Sequence, residues 1–220
     1  MKLLSNLFFN LLILLVLVSC QAKLDPKNSV QIDDKTILPK KPYSIDKSKF
    51  LKKEVLLDYI TKANTITPNA KNGVPFDKLD YDKIIAYDFD GSEESYPSVI
   101  NKFKNFVPVV LAQKALSQIQ ADKILWALTQ KSTYGEGTAA CFDPHFALVF
   151  YKDNKAINQI NICLGCNYLI ADLNIPAQTH LKVNKGTANE YSLTGFTKSG
   201  TTAIVSLCKE LGFFYQSNPN

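Results

Sequence analysis

The chain contains no arginine. All 25 of its basic residues are lysine, set against 20 acidic residues for a formal net charge of +5. The planar guanidinium fork that grips phosphate and guanine in a bidentate way is therefore missing. Histidine is scarce too, with His145 and His180 the only two. No Walker loop, nucleophile elbow or H-E-x-x-H helix can be found, and no repeat period appears. What is present is ordinary for a globular chain of 220 residues: 46% apolar and 20% charged. That composition excludes collagen-like, low-complexity and wholly disordered chains.

The positive charge is unevenly placed. Residues 21–55 hold nine lysines and five acids, whereas residues 56–220 hold fifteen of each. The excess thus lies near the N-terminus, and the remainder is neutral. A nucleic-acid partner would require a basic face on the folded domain, so none is expected. Residues 20–47 show little hydrophobic periodicity and include Pro26, Pro39 and Pro42. Such a stretch buries too little apolar surface to order itself and reads as a tether. The globular domain is expected over 48–220.

Ahead of the tether, Met1-Lys2 is followed by an apolar run over residues 7–18, broken only by Asn10. It is too short for a comfortable membrane span and has the layout of a secretory signal peptide over 1–19. Leu17-Val18-Ser19-Cys20 closes it. This segment resembles the lipobox of bacterial lipoproteins. The resemblance implies cleavage after Ser19, acylation of Cys20, and a membrane partner reached through that lipid anchor. With Gln21 rather than aspartate after the cysteine, the resemblance points to the outer membrane of a diderm cell envelope.

Within the domain, the spacing of Leu51, Val55, Leu56, Tyr59 and Ile60 predicts a helix over 48–63. Ile84 to Phe89 reads as a strand ending at Asp90-Gly91. A second strand is expected over 103–111, with Pro108 confining it to an edge or an end. Ser117-x-x-Gln120 forms a capping box for a helix over 117–130, whose apolar face is Ala121, Ile124, Leu125 and Leu128. A final helix over 199–211 ends at Gly212 and buries Ile204, Leu207, Cys208 and Leu211. Strands over 145–152 and 156–164 flank Asp153-Asn154-Lys155 and predict a hairpin. Helices and antiparallel hairpins in mixed order give the α+β class, a single domain with an antiparallel sheet and flanking helices.

The hairpin matters because of what sits at its open end. Cys141-x-x-x-His145 precedes it and Cys163-x-x-Cys166 follows it. A three-residue loop pairs Lys152 with Ala156. Phe146 and Leu148 then share an apolar face with Ile160 and Ile162, and His145 lies opposite Cys163. A one-residue slip would set Phe146 against Asn161, so the first register is expected. Four ligand-type side chains, Cys141, His145, Cys163 and Cys166, would gather there.

Three uses compete for this cluster. An exported protein forms disulfides, and Cys141 with Cys163 or Cys166 is the expected pairing, with Cys208 a buried thiol. Cys141, His145, Cys163 and Cys166 also make up the Cys₃His set of a tetrahedral zinc site. Redox cycling of Cys163-x-x-Cys166, or a cysteine activated by His145, is the third use. His180 has no local partner and is expected in a solvated loop.

Ile84 to Ser92 also resembles the first motif of haloacid-dehalogenase-type phosphatases, in which Asp88 and Asp90 would act. That fold needs a parallel sheet, a downstream lysine and a further acidic pair. No apolar strand here ends in such a pair, so the motif is read as a strand-ending turn. The balance of expectations is a membrane-anchored binding or structural module. The alternative is a thiol- or zinc-dependent enzyme built on the cysteine cluster.

Overall fold

Lys83–Phe89, the first strand β1, is buried at every position. A strand reads as continuously apolar when both faces of its sheet are covered. The computed structural model, which describes residues 45–213, shows how the covering is done. Ahead of β1 comes helix α1, Lys53–Lys62. After it come strand β2, Val110–Ala115, helix α2, Gln118–Leu128, and strand β3, Tyr134–Glu136. Strands β4, Phe146–Lys152, β5, Lys155–Cys163, and β6, Tyr168–Ala171, follow. Short strands β7, Lys182–Val183, β8, Tyr191–Ser192, and β9, Gly195–Phe196, precede the last helix α3, Lys198–Leu211. The signal segment over 1–19, Cys20 and most of the tether lie outside the described residues.

The main sheet has the order β2-β1-β4-β5-β6, and every neighbouring pair is antiparallel. Two-stranded pairs β3–β9 and β7–β8 stand beside it. The domain is α+β. An antiparallel β1 is also incompatible with the parallel sheet that the phosphatase motif requires.

One face of the sheet carries Ile84, Ala86, Phe146, Leu148, Phe150, Ile160 and Ile162. It packs against α2 and α3 through Ile124, Leu125, Leu128, Ile204 and Leu207. The other face carries Ile85, Tyr87, Phe89, Ala147, Val149 and Tyr151. It is covered by Leu56 and Ile60 of α1 and by Val99, Ile100 and Val107 from the irregular segment 92–109. That segment is strapped down by amide side chains of β5. Asn161 Oδ1 accepts from the Val99 N–H (3.1 Å), and Gln159 exchanges two hydrogen bonds with the Ile100 backbone (3.2 and 2.9 Å).

Both long helices behave as expected. Ser117 and Gln120 complete the capping box of α2. Gly212 ends α3 in the left-handed conformation, at φ 72°. The first helix is shorter than expected. Lys47–Lys49 is a separate 3₁₀ turn capped by Asp46, and the chain then extends so that the Leu51 N–H reaches the Val110 carbonyl (2.7 Å). Val55 is 49% exposed rather than on the buried stripe. The strand expected over 103–111 begins only at Val110. Asn101 Oδ1 accepts from the N–H groups of Phe103 and Asn105 and folds that stretch into a turn, so pairing with β1 starts after Pro108.

The hairpin loop is corrected in an informative way. Asp153 and Asn154 alone form the turn, both with positive φ (50° and 62°), and Lys152 pairs with Lys155. Two left-handed residues match the twist of the flanking strands better than a wider loop does. The register then shifts at a bulge beyond Tyr151, and from Phe150 opposite Asn158 it continues to Phe146 opposite Ile162. The extra residue expected in the loop sits in the bulge instead. The apolar face is assembled as expected because the bulge restores it.

Candidate functional site: the cysteine cluster

Cys163 is the last residue of β5 and pairs with Tyr168, the first of β6. The four residues between them make the connection, with Asn167 at φ 64°. A connection this tight brings Cys163 and Cys166 to a Cα separation of 5.2 Å, and the two are joined as a disulfide. The expected partnership of Cys141 with one of them is thus corrected. The turn places the C-x-x-C pair together by local geometry, whereas Cys141 arrives from a separate segment.

Cys141 nevertheless stands beside the pair. Its thiol is exposed, and its Sγ donates to Cys166 Sγ at 3.9 Å. The segment around it is held on both sides. The Ala139 N–H donates to the Cys166 carbonyl (2.9 Å), and the Tyr168 hydroxyl donates to the Cys141 carbonyl (3.2 Å). Next along the chain, the Asp143 N–H donates to Cys166 Sγ (3.3 Å). Glu93 accepts from the Phe142 N–H, and the Glu93 N–H donates to Asp143, each at 3.1 Å. Phe142 is buried against Cys163, Cys166 and Tyr168, with its ring 4.9 Å from that of Tyr168.

His145 is directed toward β1. Its Nδ1 lies 3.2 Å from the Phe89 carbonyl and 3.9 Å from Asp90 Oδ1, and its main-chain N–H donates to the Ile162 carbonyl (3.2 Å). The chain is packed closely there: a Cβ on Gly91 would meet the Pro144 carbonyl at 2.2 Å. Among the described residues no group of three or more His, Cys, Asp and Glu side chains stands arranged to hold a metal ion. Cys208 is buried on α3 as expected. Burial pushes its thiol up to about 12, and the charge of Asp88 adds to the effect. His180 is exposed and follows the 3₁₀ turn Pro176–Thr179, its Nδ1 2.8 Å from the Ala177 carbonyl.

Two features went unread in the sequence. Glu93 and Asp143 clasp the cysteine segment, and two acids fifty residues apart carry no local signal of that. The second is a groove of about 190 Å³ between α2 and α3, lined chiefly by Ile124, Trp126, Ala127, Ala203 and Leu207. Trp126 is 56% exposed, and Ile119, one heptad earlier on the same helix face, is 79% exposed. Their signal was visible as two large apolar residues off the buried stripe of α2. Set against family models, curated proteins and solved structures, the chain matches none.

Proposed function

We propose that the chain is a lipid-anchored lipoprotein of the bacterial envelope whose tethered domain is a binding or structural module without catalysis. The state of the cysteine cluster carries the non-catalytic part of this reading. Two of its thiols are closed as a disulfide. A disulfide also suits export to an oxidising compartment. Anchorage rests on the lipobox-like Leu17-Val18-Ser19-Cys20. The exposed apolar strip of Ile119 and Trp126 beside the α2–α3 groove supplies a surface on which a module could bind.

The test is metabolic labelling of the full-length chain in a diderm bacterium with an alkyne-bearing palmitate, followed by membrane fractionation. Wild type incorporates the label and sediments with the outer membrane. Cys20→Ala loses the label and accumulates with its signal segment uncut. Label retained by Cys20→Ala, or absent from wild type, overturns the anchor.

The enzyme alternative divides in two. A zinc site needs Cys141, Cys163 and Cys166 as thiolates together with His145, and the disulfide removes two of these. Thiol chemistry keeps one specific observation in its favour, the free Cys141 thiol beside Cys166.

A further inference from the structure

We infer that Cys141, Cys166 and Cys163 form a thiol–disulfide exchange relay, in which an exposed thiol communicates with a buried disulfide and the external substrates are thiols. The inference goes beyond the tethered-module reading without making the module a catalyst, because each chain passes on its single disulfide once, and it stands whether or not Cys20 carries lipid.

The geometry has three parts. Cys163 and Cys166 are only 3% and 2% exposed, so thiols in solution have no direct approach to their bond. Cys141 is exposed and its Sγ is near van der Waals contact with Cys166 Sγ, at 3.9 Å. The sulfurs at either end of the broken bond are hydrogen-bonded to the main chain. The Asp143 N–H holds Cys166, the sulfur to be attacked, at 3.3 Å. The Cys166 N–H points at Cys163 Sγ, the leaving sulfur, at 3.0 Å. A donor on the leaving sulfur favours its thiolate, and a better leaving thiolate speeds exchange.

The first step is internal. The Cys141 thiolate attacks Cys166 Sγ, a Cys141–Cys166 bond forms, and the Cys163–Cys166 bond breaks. The electron pair leaves on Cys163, which takes up the proton that Cys141 lost. No oxidant or reductant is consumed. The new bond has its Cys141 sulfur at the surface. An external thiolate attacks that sulfur and expels the Cys166 thiolate, leaving a mixed disulfide on Cys141. A second thiolate attacks the external sulfur, releasing the Cys141 thiolate and a disulfide of the two substrates. Overall two external thiols are oxidised to one disulfide, while Cys163 and Cys166 are reduced and gain the two protons.

Two measurements on the folded full-length chain test the relay, with reduced glutathione as the probe thiol. In the first, the protein is equilibrated alone, quenched in acid, unfolded and alkylated. Peptide mapping then reads which cysteines are linked and which are free. Wild type yields a population with Cys141 linked to Cys166 and Cys163 alkylated, and Cys141→Ser loses it entirely. Removing Cys163 by Cys163→Ser drives all linkage to Cys141–Cys166 on mild oxidation. In the second, glutathione reduces the wild-type pair about tenfold faster than the pair in Cys141→Ser, since only wild type offers an exposed entry sulfur. Thermal unfolding of Cys141→Ser matches wild type, which separates exchange from a structural role. The relay is overturned when Cys163–Cys166 is the sole linkage in wild type and its reduction rate is the same with and without Cys141.

Discussion

The two faces of the central sheet are both buried but are covered by different means. On one, α2 and α3 lay regular stripes of Ile, Leu and Ala over Phe146, Leu148 and Phe150. On the other, only α1 is regular, and the rest of the cover is the irregular segment 92–109, tied to the sheet by Asn161 and Gln159. Helices satisfy their own backbone. An irregular cover must borrow partners, and β5 supplies them from its polar positions. The helical face is therefore held by packing and should unfold with the whole domain. The strapped face depends on a few side-chain hydrogen bonds and should open locally.

The largest way to break this contrast is Phe150→Ala. Phe150 is fully buried, with ring centroids 5.8 Å from Phe76 and 5.4 Å from Tyr81. Its loss should cost about 3–5 kcal/mol in urea unfolding, felt at every probe. Next comes removal of the staple between β5 and β6. Replacing Cys163 and Cys166 together by serine should cost about 2 kcal/mol, because the loop they close is short. On the strapped face, Asn161→Ala leaves the buried Val99 N–H without its acceptor, at a cost of about 1–2 kcal/mol. The sharper readout there is hydrogen exchange, which should accelerate over 99–107 and leave α2 and α3 unchanged. Equal acceleration everywhere would erase the contrast. Ser117→Ala, which opens the α2 capping box, should cost about 1 kcal/mol.

The smallest effect at neutral pH is also the most specific. The Cys208 thiol is held up to about 12, chiefly by burial. An unfolded thiol titrates at about 8.5. Above that value the unfolded chain has lost a proton that the folded chain keeps. This contribution is complete below the unfolded value and declines as pH rises toward the folded one. Tyr87 and Tyr151, whose buried hydroxyls are hydrogen-bonded to each other at 2.7 Å, are also pushed upward by burial and extend the loss at higher pH. In Cys208→Ala the first part of the alkaline decline should flatten in denaturant titrations, with no change in the slope at neutral pH.

Much of the helical face could be read directly from the residues. The stripes of α2 and α3, the Ser117–Gln120 box and the Gly212 cap are local and periodic, so their physics is complete within a few residues. The strapped face could not be read that way. Residues 103–111 look strand-like, yet Asn101 folds part of them into a turn that follows no period. The cysteine cluster divides in the same manner. The gathering of Cys141, Cys163 and Cys166 followed from the hairpin register. The choice of disulfide partner depended on the tightness of the β5–β6 connection, and the direction of His145 on the end of β1, which lies more than fifty residues away.

By itself the sequence determined the α+β class, the balanced charge of residues 56–220, the apolar face of the hairpin and the company of its cysteines. Each follows from composition, from period or from register along a contiguous stretch, where neighbours in the chain are neighbours in space. Tertiary structure alone decided the strand order, the irregular cover of the second face, the clasp of Glu93 and Asp143, and the approach of a free Cys141 thiol to the Cys163–Cys166 disulfide. These are outcomes of which distant groups meet, and a 3.9 Å approach between two sulfurs twenty-five residues apart leaves no mark on either residue's own neighbourhood.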